Sequence, residues 1–194
     1  MELSTDARIP FPPAAVFAAC RDEMPRLLPY LPGIRSIEVT GREERGTVVE
    51  NVVDWCSGRD LPAPLRAVIG PSLLSWTDSA TWHEDSLSCV WRTETHAFAR
   101  AIRCGGRDRF LEDGPGKTLL EIRGALVVDA RQIAAVPGFL AGAVGRAMER
   151  YLVDKIQADM AKTVEGLALL LEQKKKGVSE SRSDGGFPPV ASAR

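Results

Sequence analysis

His83 and His96 are the two histidines of the chain, and neither stands in a His-x-x-x-His or Ser-His-Asp arrangement that would hold a metal or activate a nucleophile. His83 falls in a polar turn with Glu84 and Asp85. His96 lies near a strand end, where it either lines a cavity mouth or is an ordinary surface or core histidine. The side chains suited to moving protons are Asp54, Asp78, Glu94, Arg103, Arg109 and Tyr151. Spacing pairs no two of them, and for each the alternative is a solvated position on an outer face. No catalytic residue is assigned on this basis.

Cys20, Cys56, Cys89 and Cys104 are widely scattered, without a Cys-x-x-Cys pair and without a histidine at zinc-ligand spacing. They read as reduced, buried cysteines acting as small apolar residues. Glycine-rich phosphate loops are missing too, so the expectation is no metal, no nucleotide and no other cofactor.

Four tryptophans, Trp55, Trp76, Trp82 and Trp91, all fall in segments that read as strands. Indole rings bury large areas, and they either fill a core or line an apolar pocket. Trp55, Trp76 and Trp91, with Val53, Cys89 and Thr93 on matching faces, are the wall candidates from the strands. From a long helix near the C-terminus come Val144, Met148, Tyr151, Leu152 and Ile156. Arg100, Arg103, Arg107 and Arg109 alternate along one strand, and Arg146 and Arg150 lie four apart on the helix; they either receive an anionic head group or form solvated faces.

The elements that must position these residues follow from periodicity. Residues 3–9 read as a short strand, stopped by Pro10, Pro12 and Pro13, with Pro13 in the first turn of a helix over 14–20 and a second short helix over 24–28. From Ile34 the period is two, and Gly46 marks a hairpin. In residues 47–55, Val49, Asn51, Val53 and Trp55 share one face, assigned to the concave side, and Val48, Glu50, Val52 and Asp54 share the other. Residues 57–71 are broken by glycine and proline, apart from a possible helical turn at 65–69. Strands resume over 73–82, 86–98, 101–111 and 118–129. Hairpin-length turns between them argue for an antiparallel meander, and Gly105 and Gly106 within one strand fit a curved sheet.

Pro137 opens the last element. From residue 139 to 172 no proline interrupts a set of apolar residues spaced three and four apart, which predicts one amphipathic helix roughly 50 Å long. From Lys174 the composition turns to lysine, serine, glycine and proline, so residues 1–172 read as one domain and 173–194 as a disordered polar tail.

The totals agree with one globular α+β domain: 194 residues, 44% hydrophobic and 26% charged. Twenty-five basic against 26 acidic residues give a formal charge of -1, which excludes a general nucleic-acid binder. No run approaches the ~18 apolar residues of a membrane span, and residues 1–8 carry no signal core. The expectation is a cytoplasmic protein without stable membrane insertion.

Two short motifs carry a family resemblance. Ile9-Pro10-Phe11-Pro12-Pro13-Ala14-Ala15-Val16-Phe17 is similar to the strand-to-helix step of the START-like, or SRPBCC, superfamily. Leu28-Pro29-Tyr30-Leu31-Pro32-Gly33-Ile34-Arg35-Ser36-Ile37-Glu38 resembles that superfamily's Leu-Pro-Gly step into the second strand. The resemblance implies a helix-grip fold, in which a curved antiparallel sheet wraps a long C-terminal helix around an apolar cavity. It also implies non-enzymatic binding or transport of a hydrophobic small molecule, such as a lipid, fatty acyl chain or polyketide. The alternatives are a polyketide cyclase or aromatase and a co-chaperone-like interaction module, since fold does not settle function. No Rieske-type Cys-His pairing supports an oxygenase, and the sequence names no protein partner.

Overall fold

Prolines and alternating residues set the first elements. In a computed structural model that describes residues 1–58 and 75–183, strand β1 (Glu2–Ile9) runs into helix α1 (Pro13–Asp22). Pro13 takes the first helical position, where its missing N–H costs nothing. A 3-10 segment, Met24–Tyr30, follows and contains Pro29, which bars a regular helix.

Six more strands form a meander: β2 (Ile34–Arg45), β3 (Val48–Ser57), β4 (Ser75–His83), β5 (Ser88–Thr95), β6 (Ile102–Glu112) and β7 (Thr118–Val128). The sheet order is β1-β7-β6-β5-β4-β3-β2, every pairing antiparallel, so the first strand closes against the last. Gly46, at φ 61°, turns β2 into β3 as its position between two alternating runs predicts. β2 carries register shifts between Ile34 and Ser36 and between Val39 and Gly41, which bend that edge. Of the irregular stretch expected over 57–71, the part from residue 59 on, including the turn at 65–69, lies outside the described residues.

After a 3-10 turn at Gly138–Leu140, helix α2 (Ala141–Ser183) continues for 43 residues, about 65 Å at 1.5 Å per residue. The sequence reading ended this helix at Glu172. Lysine, glutamate and serine beyond it weaken the apolar stripe, but nothing there breaks a helix already nucleated, since propagation needs only one further bond per residue.

Among the described residues the interior divides into two apolar clusters. One gathers Ile9, Val16, Phe17, Leu27, Trp82 and Phe110 with Leu167, Leu170 and Leu171 of α2. The other joins Leu3, Ile102, Cys104, Leu126 and Val128 to Ala141 and Val153. Close approach explains two helix glycines. A Cβ on Gly145 would stand 3.0 Å from the Val128 carbonyl, and one on Gly166 2.9 Å from Tyr30 Cβ.

Candidate functional site

Alternation along the strands turns one residue in two toward α2. From β3 these are Asn51, Val53 and Trp55; from β4, Trp76, Asp78, Ala80 and Trp82; from β5, Cys89, Trp91, Thr93 and Thr95; from β6, Cys104, Asp108 and Phe110. With Leu120 and Ile122 of β7 and Tyr151 to Leu167 of α2, they enclose a cavity of about 360 Å³.

Nine of the eleven wall candidates line this space: Val53, Trp55, Trp76, Cys89, Trp91, Thr93, Tyr151, Leu152 and Ile156. Val144 and Met148 do not. They pack into the cluster around Leu126 and Val128, where Gly145 brings that end of α2 close to β7. The helical wall instead extends toward the C-terminus through Lys155, Asp159, Met160, Lys162, Thr163, Val164 and Leu167. All four tryptophans line the cavity. Trp55 and Trp76, register partners across β3 and β4, stack at 5.8 Å with 7° between their planes, and Trp82 meets Phe17 edge-on at 5.5 Å.

Two buried carboxyl groups stand on the sheet side of these walls. Asp78 accepts hydrogen bonds from the Thr93 hydroxyl and, at 3.3 Å, from Trp76 Nε1. Asp108 accepts one from Trp91 Nε1 at 2.8 Å. Burial pushes Asp78 up to about 6, against the downward pull of those hydrogen bonds. Burial, seconded by the charge of Asp78, pushes Asp108 up to about 7, and the Trp91 bond opposes it. Neither carboxyl has an ion-pair partner among the described residues. Burial also raises the thiols of Cys20 and Cys89, and that of Cys104 to about 11, so these sulfurs stay protonated and are poor nucleophiles.

Three buried polar atoms on cavity-lining residues lack a partner among the described residues: Asn51 Oδ1, Trp55 Nε1 and Trp82 Nε1. The amide nitrogen of Asn51 is satisfied by the Arg21 carbonyl at 2.8 Å, which leaves its oxygen free. An unmet buried donor or acceptor costs roughly 1–3 kcal/mol, which a bound group could recover.

The other sequence candidates are dispersed. Asp54 lies on the outer face and accepts from the Thr77 hydroxyl at 2.6 Å, and that hydroxyl also meets His96 Nε2 at 2.9 Å. His83 closes β4, paired with Val48 and Ser88. Glu94 pairs with Arg92 on the surface, Arg109 with Glu121, and Arg100, Arg103 and Arg107 are exposed. Arg146 lines a separate, smaller cleft of about 190 Å³ with Asp129, Arg131 and Glu149, while Arg150 is exposed. Asp108 was missed by sequence reasoning. Its signal was its phase: if Arg103, Arg107 and Arg109 face water, Asp108 faces inward with Cys104 and Phe110.

No family model and no curated protein matches the chain. Solved structures do match it. The Zhui aromatase/cyclase of Streptomyces sp. R1128 superposes with a TM-score of 0.62 at 14% identity, over 96% of this chain and 99% of that one. A protein from Thermus thermophilus gives 0.60 at 17%, over 88% and 99%. A START superfamily protein of Mycobacterium smegmatis gives 0.53 at 14%, over 88% and 98%. Strand order, the long helix crossing the concave face and these superpositions together establish that the chain has a helix-grip fold like that of the START superfamily protein.

Proposed function

We propose that the chain binds a hydrophobic small molecule in the cavity between the concave sheet and α2. The observation that carries this reading is the roughly 360 Å³ of space left open where side chains could have met. Interiors of folded proteins close to crystal-like density, so a void of this size forgoes packing and is retained at a cost to stability. Its apolar lining suits a ligand body, and its few polar atoms suit the fixing of orientation. A co-chaperone-like module would be expected to have a filled core instead.

The test is native mass spectrometry of gently purified protein, followed by denaturation and extraction. A co-purifying apolar molecule is the expected result. A clean ligand-free mass, with no thermal shift across fatty acids, phospholipids and aromatic polyketides, would overturn the reading.

A second reading, a cyclase- or aromatase-type enzyme, is favoured by one observation. Asp78 and Asp108, raised to about 6 and about 7, exchange protons near neutral pH, which is what general acid-base catalysis requires. An aromatase/cyclase is also among the fold neighbours. Turnover of a poly-ketone substrate that disappears in Asp78→Asn and Asp108→Asn would establish it, and binding without turnover would return the chain to the carrier role.

A further inference from the structure

Resting on that binding reading, we propose that the cavity selects a protonated amine carried on an apolar, ring-containing body. The Asp78 and Asp108 carboxyls and Asn51 Oδ1 all stand on its sheet side, and Asn51 is only 4% exposed with that oxygen unpartnered.

No cation among the described residues answers them. Of the basic groups lining the cavity, Arg21 is engaged by Asp22 and Glu84, and Lys155 by Asp159 at 2.9 Å. Lys162 also lines the space, and it makes no ion pair with either carboxyl. Each carboxyl is instead flanked by indoles: Asp78 by Trp76, which stacks on Trp55, and Asp108 by Trp91. An ammonium entering there meets a carboxylate with indole rings beside it, a setting that suits organic cations.

Ligands of other charge fit less well. A carboxylate ligand would face two like charges in an apolar enclosure, and a neutral one would leave ionised carboxyls uncompensated. Among the described residues, the titratable and charged groups lining the space with the pair are Cys20 and Arg21 from α1, Cys89 and Cys104 from the sheet, and Tyr151, Lys155, Asp159 and Lys162 from α2. The thiols stay protonated, so the pH response near neutrality belongs to the two carboxyls. The free indole N–H groups of Trp55 and Trp82 would in turn favour an oxygen substituent on the ligand body.

Three probes of one shape separate the possibilities: 2-(2-naphthyl)ethylamine, 2-(2-naphthyl)ethanol and 2-naphthylacetic acid, titrated calorimetrically at about pH 5 and about pH 8. The amine is expected to bind roughly tenfold or more tightly than the alcohol at the higher pH, where both carboxyls are ionised, and to lose that advantage at the lower. Asp78→Asn with Asp108→Asn should abolish the advantage. The pH series uses the unaltered chain, so it decides even if that variant fails to fold. Equal or tighter binding of the alcohol or the acid, or an amine advantage that grows on acidification, would overturn the amine assignment and leave the cavity reading standing. Failure of all three to bind would overturn the amine assignment and leave the cavity reading to the mass-spectrometric test.

Discussion

Trp91 donates its indole N–H to Asp108 at 2.8 Å while its ring covers the glycine pair Gly106 and Gly124. Trp91 and Gly106 are register partners across β5 and β6, and Gly106 and Gly124 across β6 and β7. The missing side chains make a shallow bed for the outer edge of the ring, and the hydrogen bond fixes its orientation.

Gly106→Ala tests that bed. A Cβ there would collide with the Arg123 carbonyl, stand 2.8 Å from Gly124 Cα and 2.7 Å from Trp91 Cζ2. Two of these are backbone atoms in paired strands, which cannot step aside. The expected cost is about 1–3 kcal/mol or more, with a shifted tryptophan emission as Trp91 is lifted. Urea unfolding followed by fluorescence measures both, and an unchanged midpoint would show that the strands yield.

Thr93→Val probes the other carboxyl. The Thr93 hydroxyl donates to Asp78 and holds its pKa down, in opposition to burial. With the hydroxyl replaced by a methyl, burial acts with less opposition, and Asp78 should titrate above its present value of about 6. Carboxyl carbon chemical shifts followed against pH would report it, and a downward shift would contradict the assigned geometry.

Much of the architecture was legible because two periods do not overlap. The step of two placed Asn51, Val53 and Trp55 on the concave side, and the step of three to four placed Tyr151, Leu152 and Ile156 on the face of α2 that meets them. The failures were of depth along the helix. Val144 and Met148 share the apolar stripe with Ile156, yet where the stripe meets packed side chains and where it meets space depends on the distance between α2 and the sheet. That distance is set by Gly145 against the Val128 carbonyl, a contact between residues far apart in sequence. Asp78 and Asp108 were obscured differently. A carboxylate on a strand is more often solvated, and only the phase of its neighbours shows that it faces inward.

The two buried acids should also make the fold less stable as pH rises. Their folded values of about 6 and about 7 lie above the 3.8 of an unperturbed aspartate, so between these limits the folded chain binds more protons than the unfolded one. Stability from this source is fully present below pH 3.8 and is lost as pH climbs through 6 and 7. Each carboxyl contributes roughly 1–3 kcal/mol to that decline, with water in the cavity reducing it. Asp78→Asn and Asp108→Asn should each flatten the curve of unfolding free energy between about pH 4 and about pH 7. A decline that persists unchanged in the double variant would place its origin elsewhere.

Burial along α2 sets an expected end for the domain. Leu167, Leu170 and Leu171 are all under 10% exposed, at 1%, 3% and 6%, and they join Phe17 and Leu27 in one cluster, whereas residues 172–177 are exposed. Lys174 pairs with Glu23, but the lysine is 44% exposed, and such pairs contribute about 0–1 kcal/mol. A chain ending at Glu172 should therefore unfold within about 1 kcal/mol of the full chain, consistent with a domain spanning residues 1–172. A chain ending at Glu165 loses three buried leucines, each of which typically contributes about 2–5 kcal/mol, and should not fold cooperatively. Calorimetry of the two truncations decides the boundary: a marked loss in the longer one would show that the helix beyond Glu172 supports the fold and is not merely appended to it.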